Sequence, residues 1–463
     1  MGLTIKSDCI LVLDVGKTHT KVSLVNLSSG NLETSVRLTN STIDTSYYRA
    51  IDVDAIWEWF IQQIKILNQS FAIKQITTTT HGAAAVVVAG NELLFPVIDY
   101  EADIYEYIDQ QYNEARPDFL ETGSLNLGQG LNLGRQLFYL QQTYPAQWEK
   151  AETIMLLPQY FCWKLTGIAV TELTSLGCHT DLWNIKEGKY SSLVNQCDWL
   201  KLFPNIKKTG EKLGPVCAGV AEETGLETKT LVLNGIHDSN ASLVPYLAAN
   251  KGNLNILSTG TWAVFNAIQK ATSHQLSTTS DKIMHSVDYQ NNPVLSMRFM
   301  GGREWELIQQ NKLHNTTFED IEQIINMQCY PIPAFAPTGP FAGIEGAIIG
   351  KEKPNENQLS ALATIYLVLM SRYCLDELDC SGDIIVEGSF TKNLEYLQLL
   401  QQLSTEQEIL YSSDPSGTTF GACRLTSDAI NWPTIELMPV VNKSIIGFNE
   451  YYDSWKQLLQ NIC

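Results

Sequence analysis

Positive charge is scarce in this chain: 31 Lys and Arg stand against 50 Asp and Glu over 463 residues, a net charge of −19. So acidic a surface repels phosphate backbones and anionic headgroups, so neither a nucleic-acid nor a membrane-surface partner is expected. Long apolar runs are missing too. The longest, residues 83–89, falls far short of the ~20 residues that cross a bilayer. Residues 9–13 are likewise too short for a secretory core. None of the ten cysteines stands in a CxxC pair, and none joins histidines at zinc-finger spacing. Reduced thiols in a cytoplasmic protein are the expectation. The seven histidines offer no HxxxH or HExxH, which excludes the usual intrinsic zinc or iron sites. Charged residues are only 17% and apolar ones 44%, with 10 Trp, 19 Tyr and 15 Phe. That composition excludes a disordered chain and supplies real cores.

At roughly 100–200 residues per domain, the length allows two to four domains. A short apolar run at 9–14 meets the turn Gly16-Lys17-Thr18-His19, and 21–27 returns as a strand, with another at 32–38. Asp54 is the expected cap of a helix whose Ile56, Phe60, Ile64 and Leu67 keep a 3.6-residue period. Residues 75–80 read as a strand, 83–89 with 93–98 as a hairpin, and 131–165 as dominantly helical. A strand at 231–233 ends in Gly235, and a helix starts near Asp238-Ser239-Asn240. The opening pattern then recurs, with a strand at 253–257, the turn Ser258-Thr259-Gly260-Thr261 and a strand at 262–268. Two such units half a chain apart predict two domains of related topology, 1–250 and 251–463, joined at Asn250-Lys251-Gly252. Beyond lie a Pro-rich loop (331–340), a helix at 358–377, a strand at 384–386 and a helix at 394–403.

Several stretches carry chemistry. Asp14-Val15-Gly16-Lys17-Thr18 contains Gly-Lys-Thr, but a P-loop needs a glycine where Leu11 stands, and a strand follows instead of a helix. What remains is a hairpin whose N–H groups and hydroxyls can face a phosphate, with Asp14 placed to hold a hydrated Mg²⁺. The same residues also make an ordinary polar hairpin. Ser258-Thr259-Gly260-Thr261 is a second turn of small donors, and two such turns would clamp a polyphosphate without a basic surface. Asp238, at a strand-to-helix junction beside His237, suits proton abstraction from a hydroxyl. Asp and Ser are equally the standard helix caps. Thr80-His81-Gly82, and Asp99 and Glu101, are open between substrate contacts and plain structural roles. Gly128-Gln129-Gly130 with Gly134 misses the dinucleotide spacing, and no G-x-S-x-G elbow occurs.

Read in order, the motifs are Asp-x-Gly-x-Thr-x-x-Lys at 14–21, His81-Gly82, Gly-Ile-His-Asp at 235–238 and Ser-Thr-Gly-Thr-Trp at 258–262. Gly388-Ser389 with Asn393, and Gly421-Ala422, complete the series. Over essentially the whole chain this order resembles the FGGY carbohydrate kinases, on their rhamnulokinase and fuculokinase side. The resemblance implies an α/β, actin-like ATPase (ribonuclease H-like) fold of two domains with ATP and a sugar in the cleft between them. It implies Asp238 as the catalytic base, and His81, Gly82, His237 and Asp99 as sugar contacts. It implies Asp14 at Mg²⁺, and Gly16, Lys17, Thr18 and Lys21 at the first phosphate loop. Thr259, Gly260 and Thr261 would form the second loop, and Gly388, Ser389 and Asn393 the adenosine pocket. The acceptor it implies is a small ketose, L-rhamnulose or L-fuculose first, with xylulose, ribulose, fructose or a polyol as alternatives. A non-catalytic sensor and an actin-like ATPase are the rival classes; a homodimer is compatible with the resemblance. Lys17 and Glu387 depart from the family pattern. Phe299-Met300-Gly301-Gly302-Arg303-Glu304 has no implied role, though its Gly pair and Arg suit a cleft-edge loop.

Overall fold

Cys9, Ile10, Leu11, Val12 and Leu13 are apolar without alternation, the signature of a strand covered on both faces, and all five are fully buried. A computed structural model describes residues 6–249, 252–269, 282–310, 315–412, 417–426, 430 and 432–462. Strand β1 (Asp8–Val15) runs into β2 (His19–Asn26) and β3 (Leu32–Thr39) as an antiparallel meander. Helix α1 (Val53–Leu67) buries Ile56, Phe60, Ile64 and Leu67, the face its periodicity predicts. Its cap is Asp52, not Asp54: the Asp52 carboxylate accepts from the Ala55 N–H at 3.0 Å, and Asp54 falls in the first turn.

Strand β4 (Ala72–Thr80) lies parallel to β1, with Asp14 opposite Thr79 and Val15 opposite Thr80. Strand β5 (Ala85–Ala89) turns back only as far as Glu92–Leu93, shorter than the expected 93–98. Pro96, which has no N–H to give a ladder, lies in the part that does not pair. The stretch read as helical is interrupted. Between helices Leu133–Thr143 and Leu157–Thr166, the apolar run Thr153–Leu156 is a strand on the other edge of β5. A short apolar run looks alike in a buried strand and a buried helix. Strands β6 (Leu231–Leu233) and β7 (Ile236–His237) both join β4 in parallel, and helix α2 (Asp238–Ala249) follows at once.

The second sheet repeats the plan. Strands β8 (Leu254–Thr259), β9 (Ala263–Ile268) and β10 (Pro293–Phe299) form an antiparallel meander. Trp262 therefore belongs to the turn and not to the strand. Helix α3 (Gly301–Ile308) starts where a loop was expected. Helix α4 (Leu359–Leu378) has the length and apolarity of a membrane span, yet 94% of its most apolar window is buried inside the protein. It is the core helix of this half. Strand β11 (Ile384–Gly388) runs parallel to β8, helix α5 (Leu394–Leu403) follows, and β12 (Ile409–Ser412) is parallel to β11. The expected loop at 331–340 begins inside a short strand, Tyr330–Ile332. Each sheet thus places an antiparallel meander beside strands that run parallel to its first strand, three in the first sheet and two in the second.

Helix α6 (Gly417–Cys423) packs against α2 and joins the halves. Ala241 and Val244 of α2 share one apolar cluster with Ile10 and Val12 of β1 and with Ala422 and Cys423 of α6. Of the expected junction, Asn250 and Lys251 lie outside the described residues.

Candidate active site

Parallel strands end together, so whatever follows each of them meets at one edge of the sheet. Here β1 delivers Asp14 and Gly16, β4 delivers His81, and β7 delivers His237 and Asp238. The His81 N–H donates to the Val15 carbonyl at 2.8 Å, and His237 stands opposite Thr80 in the ladder. The topology alone assembles this group.

Asp238 keeps 28% of its side-chain surface open, while His237 beside it keeps 5%. The Asp238 Oδ1 accepts from the N–H of the very next residue, Ser239, at 2.6 Å. A capping carboxylate bonds the N–H two or three residues on, so this one is not serving its own helix in that way. Burial raises the Asp238 pKa above the ordinary carboxylate value, with His81 pulling the other way. His237 Nε2 lies 3.4 Å from Asp238 Oδ1, and its Nδ1 has no partner among the described residues. Burial pushes His237 down to about 4 and lowers His81 as well, which leaves both imidazoles neutral near pH 7. His81 Nδ1 lies 2.7 Å from the Gly82 carbonyl, which fixes Nδ1 as the protonated nitrogen and leaves Nε2 to accept. Gly82 is required by this packing, because a Cβ there would stand 2.8 Å from His237 Nε2.

A buried chain that the sequence did not reveal holds the backbone of His237, the residue before Asp238, from behind. The His237 N–H donates to Thr174 Oγ1 at 3.0 Å, and that hydroxyl donates to Glu172 at 2.7 Å. Glu172 is fully buried and also accepts from the Thr174 and Ser175 N–H groups and the Thr209 hydroxyl. Burial raises its pKa against these bonds.

The first hairpin turn is braced by Asn40, which donates to the Gly16 carbonyl at 2.7 Å and accepts from Thr20. Thr18 is exposed. Lys21 Nζ lies 3.0 Å from the Asp14 carboxylate, as their opposed register requires. Burial raises the Asp14 pKa, and Lys21 opposes it. Lys17 turns the other way: it bonds Asp99, lies 3.4 Å from Glu101 and covers the Tyr100 ring at 4.4 Å. Asp99 also accepts from Arg49 Nε at 2.9 Å and the Glu101 N–H. Burial alone would raise Asp99, but Lys17, that N–H and Arg49 outweigh it and hold the carboxyl below its usual range.

On the opposite side, Gly260, Thr261, Ser389 and Asn393 line a cavity of about 840 Å³ together with Gly302, Arg303, Trp305 and Lys392. A second hollow of about 320 Å³ is bordered by Thr259, Gly260, Glu387, Gly388 and Ser242. Gly16, Lys17, Thr18 and Lys21 border neither. The Thr259 hydroxyl accepts from the Phe390 N–H, so it points into the fold. Asn393 caps α5 through Tyr396 N–H and donates to Thr364. Gly388 has φ +89°, and a Cβ there would meet the Thr259 carbonyl at 2.0 Å. Glu387 accepts from Ser258 Oγ at 2.6 Å and from Tyr246 of α2 at 2.8 Å. Gly302, whose N–H donates to the Gly260 carbonyl at 3.1 Å, seats α3 on the second loop. The Gly pair at 301–302 was the sequence signal for that contact.

A cavity of this size suits a nucleotide-sized ligand. Among the described residues no three His, Cys, Asp or Glu side chains gather as a metal cage. One carboxylate, Asp14, is enough for a Mg²⁺ that keeps its waters and arrives with phosphates.

Comparison with known proteins agrees with this architecture. The profile "FGGY family of carbohydrate kinases, N-terminal domain" matches residues 9–245, and "Carbohydrate kinase FGGY, C-terminal domain" matches 251–433. An L-fuculokinase of Salmonella typhi is 27% identical over 272 residues, covering 56% of each chain. A rhamnulokinase of Oceanobacillus iheyensis is 26% identical over 266 residues, covering 55% of each. These matches span about half the length of those relatives. A carbohydrate kinase from Novosphingobium aromaticivorans, known as a crystal structure, superposes with a TM-score of 0.90 at 28% identity, over 99% of both chains. With both family profiles matched in order and the fold shared from end to end, the chain belongs to the FGGY family of carbohydrate kinases.

Proposed function

We propose that the protein phosphorylates a hydroxyl of a small sugar at the expense of ATP, with Asp238 as the general base. The observation that carries this reading is the Asp238 carboxylate itself. It is half-buried and raised in pKa, and it lies next to a neutral His237 at the meeting point of three strand ends. Such a carboxylate is a stronger proton acceptor than an exposed one. In this scheme the acceptor hydroxyl gives its proton to Asp238 as its oxygen attacks the terminal phosphorus of ATP. His81 and His237, both neutral, hydrogen-bond the sugar beside Gly82, and Asp99 holds Lys17 at the rim. Residues 1–250 form the acceptor side and 251–463 the nucleotide side. Gly260 and Thr261 approach the phosphates, and Gly388, Ser389 and Asn393 line the adenosine pocket. Thr259 shapes that loop from behind, and Gly16, Thr18 and Lys21 form the opposing turn. Asp14 holds Mg²⁺, which neutralises charge on the transferring group.

The acceptor is a small ketose, with L-fuculose and L-rhamnulose first because the relatives matched include an L-fuculokinase and a rhamnulokinase. Xylulose, ribulose, fructose and polyols come next. The nine described cysteines are unpaired, which supports a reduced, cytoplasmic setting. Coupled ADP release across ketoses, aldoses and polyols tests the reading. Stimulation by one or a few sugars supports it, whereas no stimulation by any of them favours a sensor or a protein-directed ATPase.

A further inference from the structure

One cation of the cleft has no role in this scheme. Arg298 lies on β10 directly opposite Val264 of β9. Cross-strand partners share a face, and Val264 borders the hollow that also holds Thr259, Gly260 and Ser242. The Arg298 guanidinium lies over the Trp262 ring at 5.1 Å, beside the second loop. Among the described residues Arg298 makes no ion pair and no hydrogen bond, and it is half-buried. Its charge reaches the facing wall of the other half: Tyr100, Cys178 and His179 all feel it, and burial lowers its own proton affinity. Tyr100 in turn packs edge-on against His81 at 5.7 Å. Arg298 therefore stands between the second loop and the wall that carries His81.

We propose that Arg298 is a specificity-determining residue for the acceptor: its guanidinium, flattened on Trp262, donates to two neighbouring oxygens of the sugar held by His81 and His237. The inference rests on the sugar-kinase reading and extends it, because it makes the nucleotide half contribute to sugar recognition. A planar fork of N–H donors with no counter-ion among the described residues suits a pair of adjacent acceptor oxygens better than a single one. Its position on the half opposite Asp238 also makes a bound sugar a bridge between the halves, so sugar binding favours closure of the cleft.

The experiment compares wild type, Arg298→Gln and Arg298→Lys, using the best ketose from the ADP-release panel. Sugar binding is titrated without nucleotide, ATP binding without sugar, and the sugar KM and kcat are measured at saturating ATP. Arg298→Gln is expected to weaken sugar binding and raise its KM by about tenfold to a hundredfold, the loss typical of a charge-assisted hydrogen bond. Its ATP affinity stays within about twofold of wild type, which also reports an intact fold, and Arg298→Lys recovers part of the loss. An unchanged sugar affinity and KM overturns the inference and leaves the kinase reading intact. A fall in kcat at unchanged sugar affinity also overturns it, since Arg298 would then act on the phosphoryl group. A wild-type chain that neither binds nor turns over any sugar overturns both readings.

Discussion

Gly421 of α6 faces the backbone carbonyl of Ala241 in α2: a Cβ built at 421 would stand 1.7 Å from that oxygen. The two helices cross at a point where only a hydrogen fits. Because α2 begins with Asp238 and α6 belongs to the other half, this contact sets the position of the proposed base relative to residues 251–463. Gly421→Ala is expected to cost about 3 kcal/mol, the upper end of overpacking penalties, and to lower the melting temperature together with kcat. A variant with wild-type melting temperature and kinetics contradicts the contact.

Gly302 makes a second close approach, since a Cβ there would lie 2.5 Å from the Gly260 carbonyl. Gly302→Ala should push the second loop away from α3 and raise the ATP dissociation constant by about tenfold, for an overpacking cost of ~1.4 kcal/mol. Sugar affinity measured without ATP stays unchanged. Calorimetric titration of each ligand separates the two, and equal losses for both would contradict a local effect.

Much of this arrangement was legible in the residues. The unbroken apolar run of β1, the four threonines before His81 and the strand-to-helix step at His237-Asp238 set the topology of the first half. The Ser258–Thr261 turn revealed the repeat. What the sequence hid depends on tertiary context. The run Thr153–Leu156 pairs with β5 and so becomes a strand inside a helical stretch. Lys17 reads as a phosphate contact until Asp99, 82 residues away, takes its ammonium. Glu172 and Arg298 act through space, one behind β7 and the other across the cleft, and no local spacing marks either.

The Lys17–Asp99 pair has a pH signature. Asp99 is held below its usual pKa, so its ion pairing stabilises the fold above ~3.9, the unfolded carboxylate value, and that stability is lost as pH falls through the lower folded value. Lys17→Met removes the bond that offsets Asp99 burial. It should cost about 1–3 kcal/mol at pH 7 and move the onset of acid unfolding to higher pH. Circular dichroism across pH 3–7 checks this; superimposable curves would contradict it.

Asp238 carries the opposite sign. Its folded pKa is raised, so its charge costs stability at neutral pH, and that cost vanishes below the unfolded value of ~3.9. Asp238→Asn should therefore melt at a higher temperature than wild type at pH 7, by a margin that shrinks as pH falls. Thermal melts at pH 4 and pH 7 compare the two. A variant less stable than wild type at neutral pH would mean that the carboxylate supports the fold.

The most direct measurement is turnover by Asp238→Asn with the preferred sugar, alongside separate titrations of sugar and ATP. Loss of a general base predicts a fall in kcat of about 100- to 10,000-fold, with both ligands still bound at near wild-type affinity. Turnover at the wild-type rate would contradict the assignment of Asp238 as the base.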